Sequence, residues 1–99
     1  MDLIYKALAE VNRRKIIFWL QNEKMRVSEI VEKLDLTQAT VSNHLAILRK
    51  AKIVECEVKG KERIYKLNVE TANNFLKELN RILLGRDLNP GGGEIIVRR

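Results

Sequence analysis

The 99-residue chain is long enough to build one modest hydrophobic core and too short for a second. Hydrophobic residues make up 45% and charged residues 32%, which argues against a disordered chain, and the longest apolar run, Ile16-Ile17-Phe18-Trp19-Leu20, is far too short to cross a bilayer. The net charge is +6, the lone Cys56 excludes an intrachain disulfide or thiolate-clustered zinc site, and with no basic lead-in to a signal-peptide core the chain is expected in the cytoplasm.

Leu3, Ile4, Ala7 and Leu8 recur at helical spacing and predict an opening helix. Asn12 is placed to cap a second helix carrying Ile16, Ile17 and Leu20. Phe18 and Trp19 make that helix apolar almost all round, as expected of one central in a core or facing both a core and a partner subunit. The polar segment Gln21–Lys24 ends it, and Met25-Arg26-Val27 reads as a short extended piece. Ser28 is the expected cap of a third helix, with Glu29 in its first turn and Val27, Ile30, Val31 and Leu34 on its apolar face. Asp35-Leu36-Thr37 breaks the pattern. Thr37 then caps a fourth helix whose buried stripe is Val41, Leu45 and Leu48, extended by Ala51. Two short amphipathic helices joined by about three residues form a helix-turn-helix.

After Lys52 the apolar period falls from 3.6 to 2. Val54, Cys56 and Val58 alternate with Glu55, Glu57 and Lys59, Lys59-Gly60-Lys61-Glu62 is a turn, and Ile64-Tyr65-Lys66-Leu67 returns. Residues 69–85 resume helical spacing through Phe75, Leu76, Leu79, Ile82 and Leu83, with Gly85 as a stop. The expected architecture is therefore mainly α with a small β-hairpin: a winged helix-turn-helix of five helices plus a two-stranded wing. Residues 1–85 form its one domain, for DNA binding and dimerisation. Residues 86–99, which include Pro90-Gly91-Gly92-Gly93, form a flexible tail with room for a short strand.

The basic excess is concentrated in residues 36–68, where Arg49, Lys50, Lys52, Lys59, Lys61, Arg63 and Lys66 face only Glu55, Glu57 and Glu62. A polyanion would meet this third of the chain, although a solvated basic surface has the same composition. With Val41, Leu45 and Leu48 inward, the fourth helix presents Gln38, Ala39, Thr40, Ser42 and Asn43 near its N-terminus. These are the types that read base edges: Gln and Asn pair with adenine, Thr and Ser bond any base, and an Ala methyl meets a thymine methyl. An ordinary exposed helix would more often carry Lys and Glu there. Lys59, Lys61 and Arg63 on the hairpin, with Lys50 at the end of the helix, suit the DNA backbone or minor groove. His44, without a second ligand at metal spacing or a nucleophile beside it, is expected to pack, with a hydrogen bond to backbone or a DNA phosphate. Cys56 follows the inward alternation and reads as a small apolar residue. Leu3, Ile4 and Leu8, with Phe75, Leu79, Ile82 and Leu83, exceed what a small core covers and are the expected dimer contacts; a monomer that folds both helices onto its own core is the plainer alternative.

These residues resemble the ArsR/SmtB-type winged helix-turn-helix transcriptional regulators. Ala7-Leu8-Ala9-Glu10-Val11-Asn12-Arg13-Arg14-Lys15-Ile16-Ile17 is similar to that family's entry into its second helix. Val27-Ser28-Glu29-Ile30 and Ala39-Thr40-Val41-Ser42-Asn43-His44-Leu45-Ala46-Ile47-Leu48-Arg49 are similar to its helix-turn-helix, and Gly60-Lys61-Glu62-Arg63-Ile64-Tyr65-Lys66-Leu67 to its wing. The resemblance covers residues 3–84. It implies a homodimeric regulator, usually a repressor, with no enzymatic activity and with dimer contacts from the first and last helices. The metal-binding cysteine pair of many members would fall near Arg26 and Ser28, and their alternative site needs a histidine that helix 69–85 lacks. Metal binding at either of those sites is therefore not expected, no cofactor is implied, and no small-molecule ligand is identifiable from the sequence. The function read from the sequence is binding of double-stranded DNA at a pseudo-palindromic site. A winged-helix protein-interaction module and a thiol- or metal-responsive regulator are the alternatives.

Overall fold

The computed structural model describes residues 1–86, so the expectation for the tail beyond Arg86 lies outside the described residues. The elements in chain order are α1 (Asp2–Leu8), α2 (Val11–Leu20), β1 (Met25–Arg26), α3 (Val27–Leu34), α4 (Gln38–Lys50), β2 (Val54–Lys59), β3 (Glu62–Leu67) and α5 (Val69–Leu84). They form two compact units, Met1–Asn68 and a second that begins at Val69. No helix among the described residues is long and apolar enough to cross a membrane.

The core gathers one stripe from each helix of the first unit. Ala7, Ile16, Ile30, Val41, Leu45 and Leu48 are fully buried, together with Met25 and Val54 of the sheet. The expected inward face of α4 is therefore correct, and Ala51 does extend it. Full burial of a Val, Leu or Ile side chain stabilises by about 1.5–3 kcal/mol, so this stripe is what holds α4 in place. His44 is also turned inward, which widens the stripe by one residue.

Two expected caps are corrected. The N-cap of α2 is Glu10, whose Oε2 accepts from the backbone N–H of Asn12 at 2.8 Å and of Arg13 at 3.1 Å. Asn12 lies inside the helix and donates its side-chain amide to Glu10 Oε1 at 3.2 Å. Helix α3 starts one residue before the expected Ser28 cap. Its N-cap is Arg26, and Glu29 Oε1 reaches back to accept the Arg26 backbone N–H at 3.0 Å. Thr37 caps α4 as expected, its Oγ1 accepting from Thr40 N–H at 3.2 Å.

Helix α4 ends in a Schellman arrangement. The Ile53 N–H donates to Leu48 O at 3.0 Å and the Lys52 N–H to Arg49 O at 2.9 Å, while Lys52 takes a left-handed φ of 63°. Ile53 and Leu48, the two residues joined by the longer bond, are both buried. This cap reverses the chain into β2.

The wing is larger than expected. The sheet has three antiparallel strands in the order β1-β3-β2, because Met25 pairs with Tyr65 and Arg26 with Ile64 along the inner edge of β3. Strands β2 and β3 run in register from Val54 opposite Leu67 to Lys59 opposite Glu62. Gly60 and Lys61 form the two-residue turn, and Gly60 at φ 60° supplies the positive first position of a type II′ hairpin. Burial fades toward the tip: Val54 is buried, Cys56 half-buried and Val58 69% exposed. The expected inward face of β2 therefore holds only near its base, where β1 and the helices back the sheet.

Helix α5 is amphipathic and ends at Gly85, whose φ of 61° and N–H bond to Arg81 O at 3.2 Å form a left-handed C-terminal stop. Phe75 and Leu79 are half-buried, whereas Leu76, Ile82 and Leu83 are exposed. In α2, Phe18 is exposed while Ile16 and Leu20 are buried.

Candidate nucleic-acid interface

Helix α4 is held on one side by aliphatic packing, so its outward side chains are fixed by default. Gln38, Ala39, Thr40, Ser42 and Asn43 are all exposed, as are Lys50, Lys59, Lys61 and Arg63. Gln38, Ser42, Ala46 and Arg49 follow one another at intervals of four, four and three residues along one flank of the helix. That flank forms a wall of an open cleft of about 790 Å³, whose opposite wall is Lys61, Glu62, Arg63 and Tyr65 of the wing. Arg26, Val27 and Ser28 close its base, and Lys50 stands at its far end. One flank of the helix and the wing cations Lys61 and Arg63 thus border one concave surface; of the expected contact residues Gln38, Ser42, Lys50, Lys61 and Arg63 line it, whereas Ala39, Thr40, Asn43 and Lys59 lie outside its lining.

Charge in the cleft is one-sided. Arg49, Lys50 and Lys61 have no ion pair among the described residues, while Arg26 bridges Glu29 at 3.3 Å and Glu62 at 3.2 Å. Thr40 is partly engaged, because Thr37 donates its hydroxyl to Thr40 Oγ1 at 2.8 Å. The proton of the Thr40 hydroxyl remains to be given to an acceptor such as a base edge. Tyr65 is buried along the wing side of the cleft; burial first, then its neighbour Cys56 across the strand pair, push its hydroxyl above the ordinary tyrosine pKa.

A polar node holds the opposite flank of α4. Arg13 Nε donates to Ala7 O at 2.7 Å, Nη2 to Lys6 O at 3.2 Å, and Nη1 meets His44 Nδ1 at 3.2 Å. One guanidinium thereby satisfies two carbonyls at the C-terminus of α1 and joins them to α4. Arg14 adds a bond from Nη1 to Leu8 O at 2.7 Å. With Nδ1 accepting from Arg13, His44 carries its proton on Nε2, 3.9 Å from Glu10 Oε2. Partial burial of Glu10 opposes its charge. The Arg13 and Asn12 N–H bonds, aided by the nearby His44 and Arg13 side chains, outweigh that and hold its pKa below the ordinary carboxylate value. His44 therefore hydrogen-bonds the Arg13 side chain of α2 and lies near the Glu10 cap, where the sequence suggested a backbone or phosphate partner.

Glu10, Arg13 and Arg26 were missed by the sequence reading. The repeated arginines at 13 and 14, one turn past the end of α1, were the available signal for the node. Nothing near Arg26 in the sequence points to Glu62. Among the expected dimer residues, Ile4 is only 8% exposed and belongs to the chain's own core, while Leu3, Ile82 and Leu83 are open to solvent. Among the described residues no three His, Cys, Asp or Glu side chains come together as a metal site would require.

The model of bacterial regulatory proteins of the arsR family matches residues 10–55, from the Glu10 cap through the helix-turn-helix to the first strand of the wing. The transcriptional repressor SdpR of Bacillus subtilis is 32% identical over 85 residues, spanning 82% of this chain and 94% of its own length. The arsenical resistance operon repressor of the same organism is 39% identical over 75 residues, spanning 75% and 71%. Among solved structures, HlyU from Vibrio cholerae superimposes with a TM-score of 0.68 at 27% identity, covering 82% of this chain and 88% of HlyU. The homodimeric winged helix-turn-helix DNA-binding domain of Mb0332 from Mycobacterium bovis gives 0.69 at 25% identity, covering 76% and 70%. The chain therefore belongs to the ArsR family of bacterial regulatory proteins and is a winged helix-turn-helix DNA-binding transcriptional regulator, not an enzyme.

Proposed function

We propose that two copies of this chain bind one pseudo-palindromic duplex site and repress transcription by occupying it. Helix α4 enters the major groove, where Gln38, Ala39, Thr40, Ser42 and Asn43 meet base edges. Lys59, Lys61 and Arg63 of the wing, with Lys50, meet the flanking backbone or minor groove. The observation that carries this reading is the pairing of an exposed row of short polar side chains on a helix locked from behind with a cationic cleft along its flank. A lone exposed helix would lack the second feature.

Exposed apolar residues support the two-fold arrangement. Leu3 on α1 and Phe75, Leu79, Ile82 and Leu83 on α5 retain surface that a second copy would cover, with Leu8 half-buried beside them in sequence. A two-fold dimer brings its reading helices about 34 Å apart, one turn of DNA. Selection of bound duplexes from a random pool tests the whole reading. The expected result is an inverted repeat with half-sites separated by one helical turn, with affinity falling steeply as salt rises. Recovery of no sequence, or of a single asymmetric half-site, would refute it.

A further inference from the structure

The cleft between α4 and the wing holds one acidic group, Glu62, among its cations. Arg26 Nη1 donates to Glu62 Oε1 at 3.2 Å, and Arg26 Nε donates to Glu29 Oε1 at 3.3 Å. Two of the five guanidinium N–H groups are thus used, and the other three have no partner among the described residues. Arg26 is opposite Ile64 in the strand register, on the sheet face that Glu62 shares two residues along β3. It therefore lines the same cleft as the helix flank and the wing, at a place the family resemblance marked only for a metal-binding cysteine pair that this chain lacks.

The two carboxylates have different holds on Arg26. Glu29 accepts both the Arg26 backbone N–H and its Nε, so it stays with the residue as part of the α3 cap. Glu62 holds it through one bond between side chains that are 50% and 53% exposed. Ion pairs so open to water are weak, because solvent competes for both partners. A phosphate oxygen offers the same charge and acceptor geometry as the Glu62 carboxylate, and a duplex presents a continuous row of them.

We propose that Arg26 is a DNA-backbone contact that Glu62 occupies in the free protein, and that a phosphate takes the place of Glu62 when duplex enters the cleft. The proposal rests on the DNA-reading function above. Glu62 then lowers affinity for every duplex, since each must displace it, and Glu29 keeps the guanidinium in place during the exchange. The Glu62 carboxylate released on binding takes up a solvent cation, which offsets part of the counterion release expected from the other phosphate contacts.

The test is a double-mutant cycle of E62Q and R26Q, read by anisotropy of a labelled duplex carrying the selected site and of a scrambled one, across a salt series. E62Q is expected to tighten both duplexes by about threefold or more and to steepen the salt slope by about one unit. Introduced into R26Q, the same change should recover less than half of that gain. Thermal melting monitors folding of each variant, and R26M repeats the cycle, again without the charge, should R26Q unfold. A gain that persists undiminished in both Arg26 backgrounds would mean that Glu62 acts by repulsion alone, and unchanged or weaker binding by E62Q would make it a prop for the wing; either result overturns the exchange. A wild-type chain that binds no duplex would instead overturn the DNA-reading function beneath it.

Discussion

Removing the Arg13 guanidinium is the sharpest test of how the fold holds α4. Its three side-chain bonds have unequal weight. The bond to Lys6 O is solvent-exposed and contributes little, whereas those to Ala7 O and His44 are partly buried. Hydrogen bonds from a charged donor are worth about 1.5–3 kcal/mol each when desolvated, and partial exposure brings the Arg13→Ala loss to about 2–3 kcal/mol. For a domain of this size that is a fall of roughly 10–20 °C in Tm. Arg13→Lys offers an ammonium that reaches one carbonyl, so it should recover about 1 kcal/mol of the loss. Urea unfolding at fixed protein concentration, followed by the fluorescence of Trp19 on α2, measures both variants. If Arg13→Ala changes stability by less than about 0.5 kcal/mol, or if Lys restores it fully, the node is not a support of α4.

Acid should destabilise the fold through its two capping carboxylates. N–H donors hold Glu10, and Arg26 holds Glu29, below the ordinary carboxylate pKa; their stabilisation is therefore fully present above the ordinary value and lost as pH falls through the depressed folded ones. Tm measured against pH should drop there, and Glu10→Gln should flatten part of the drop. Lys52→Gly relieves a left-handed residue at the end of α4 and should stabilise by roughly 0.5–1 kcal/mol in thermal melts, unless the φ of 63° is unstrained there. Asn43→Ala should relax preference at one base position by about 1–3 kcal/mol in a repeated selection. Lys61→Ala should weaken all duplexes alike and make the salt slope shallower by about one unit; loss confined to one sequence would exclude a backbone contact.

The reading helix was legible because one physical signal dominates it. Val41, Leu45 and Leu48 recur at the helical period, and Thr37 is a short side chain able to turn back onto the first turn. The hairpin was legible for the same reason, its alternation flanking a glycine. Glu10 was not, since glutamate is a weak capping type by propensity and its carboxylate here also gains from the nearby Arg13 side chain and from His44 across the fold. Met25 and Arg26 read as extended in the sequence, but their pairing into the wing sheet depends on partners some 40 residues later, which two residues with no period of their own do not announce. The cleft depended on the same distant pairing: Arg26 and Glu62 are 36 positions apart and look like ordinary surface charges in the sequence.

The two-residue strand β1 has a mechanical consequence. Tyr65 and Ile64 are clamped by Met25 and Arg26 on one side and by Cys56 and Glu57 on the other, whereas the span from Val58 to Arg63 has only its own hairpin mate. The base of the wing is therefore a fixed jaw set against α4, and only its tip can flex. Callipers of that kind have one preferred opening. With a duplex seated against α4 and the wing as proposed, one whose grooves are narrowed, widened or bent away from that opening would have to be deformed to fit, and stiffness of the DNA between contacted positions would become a second source of discrimination, independent of any base edge.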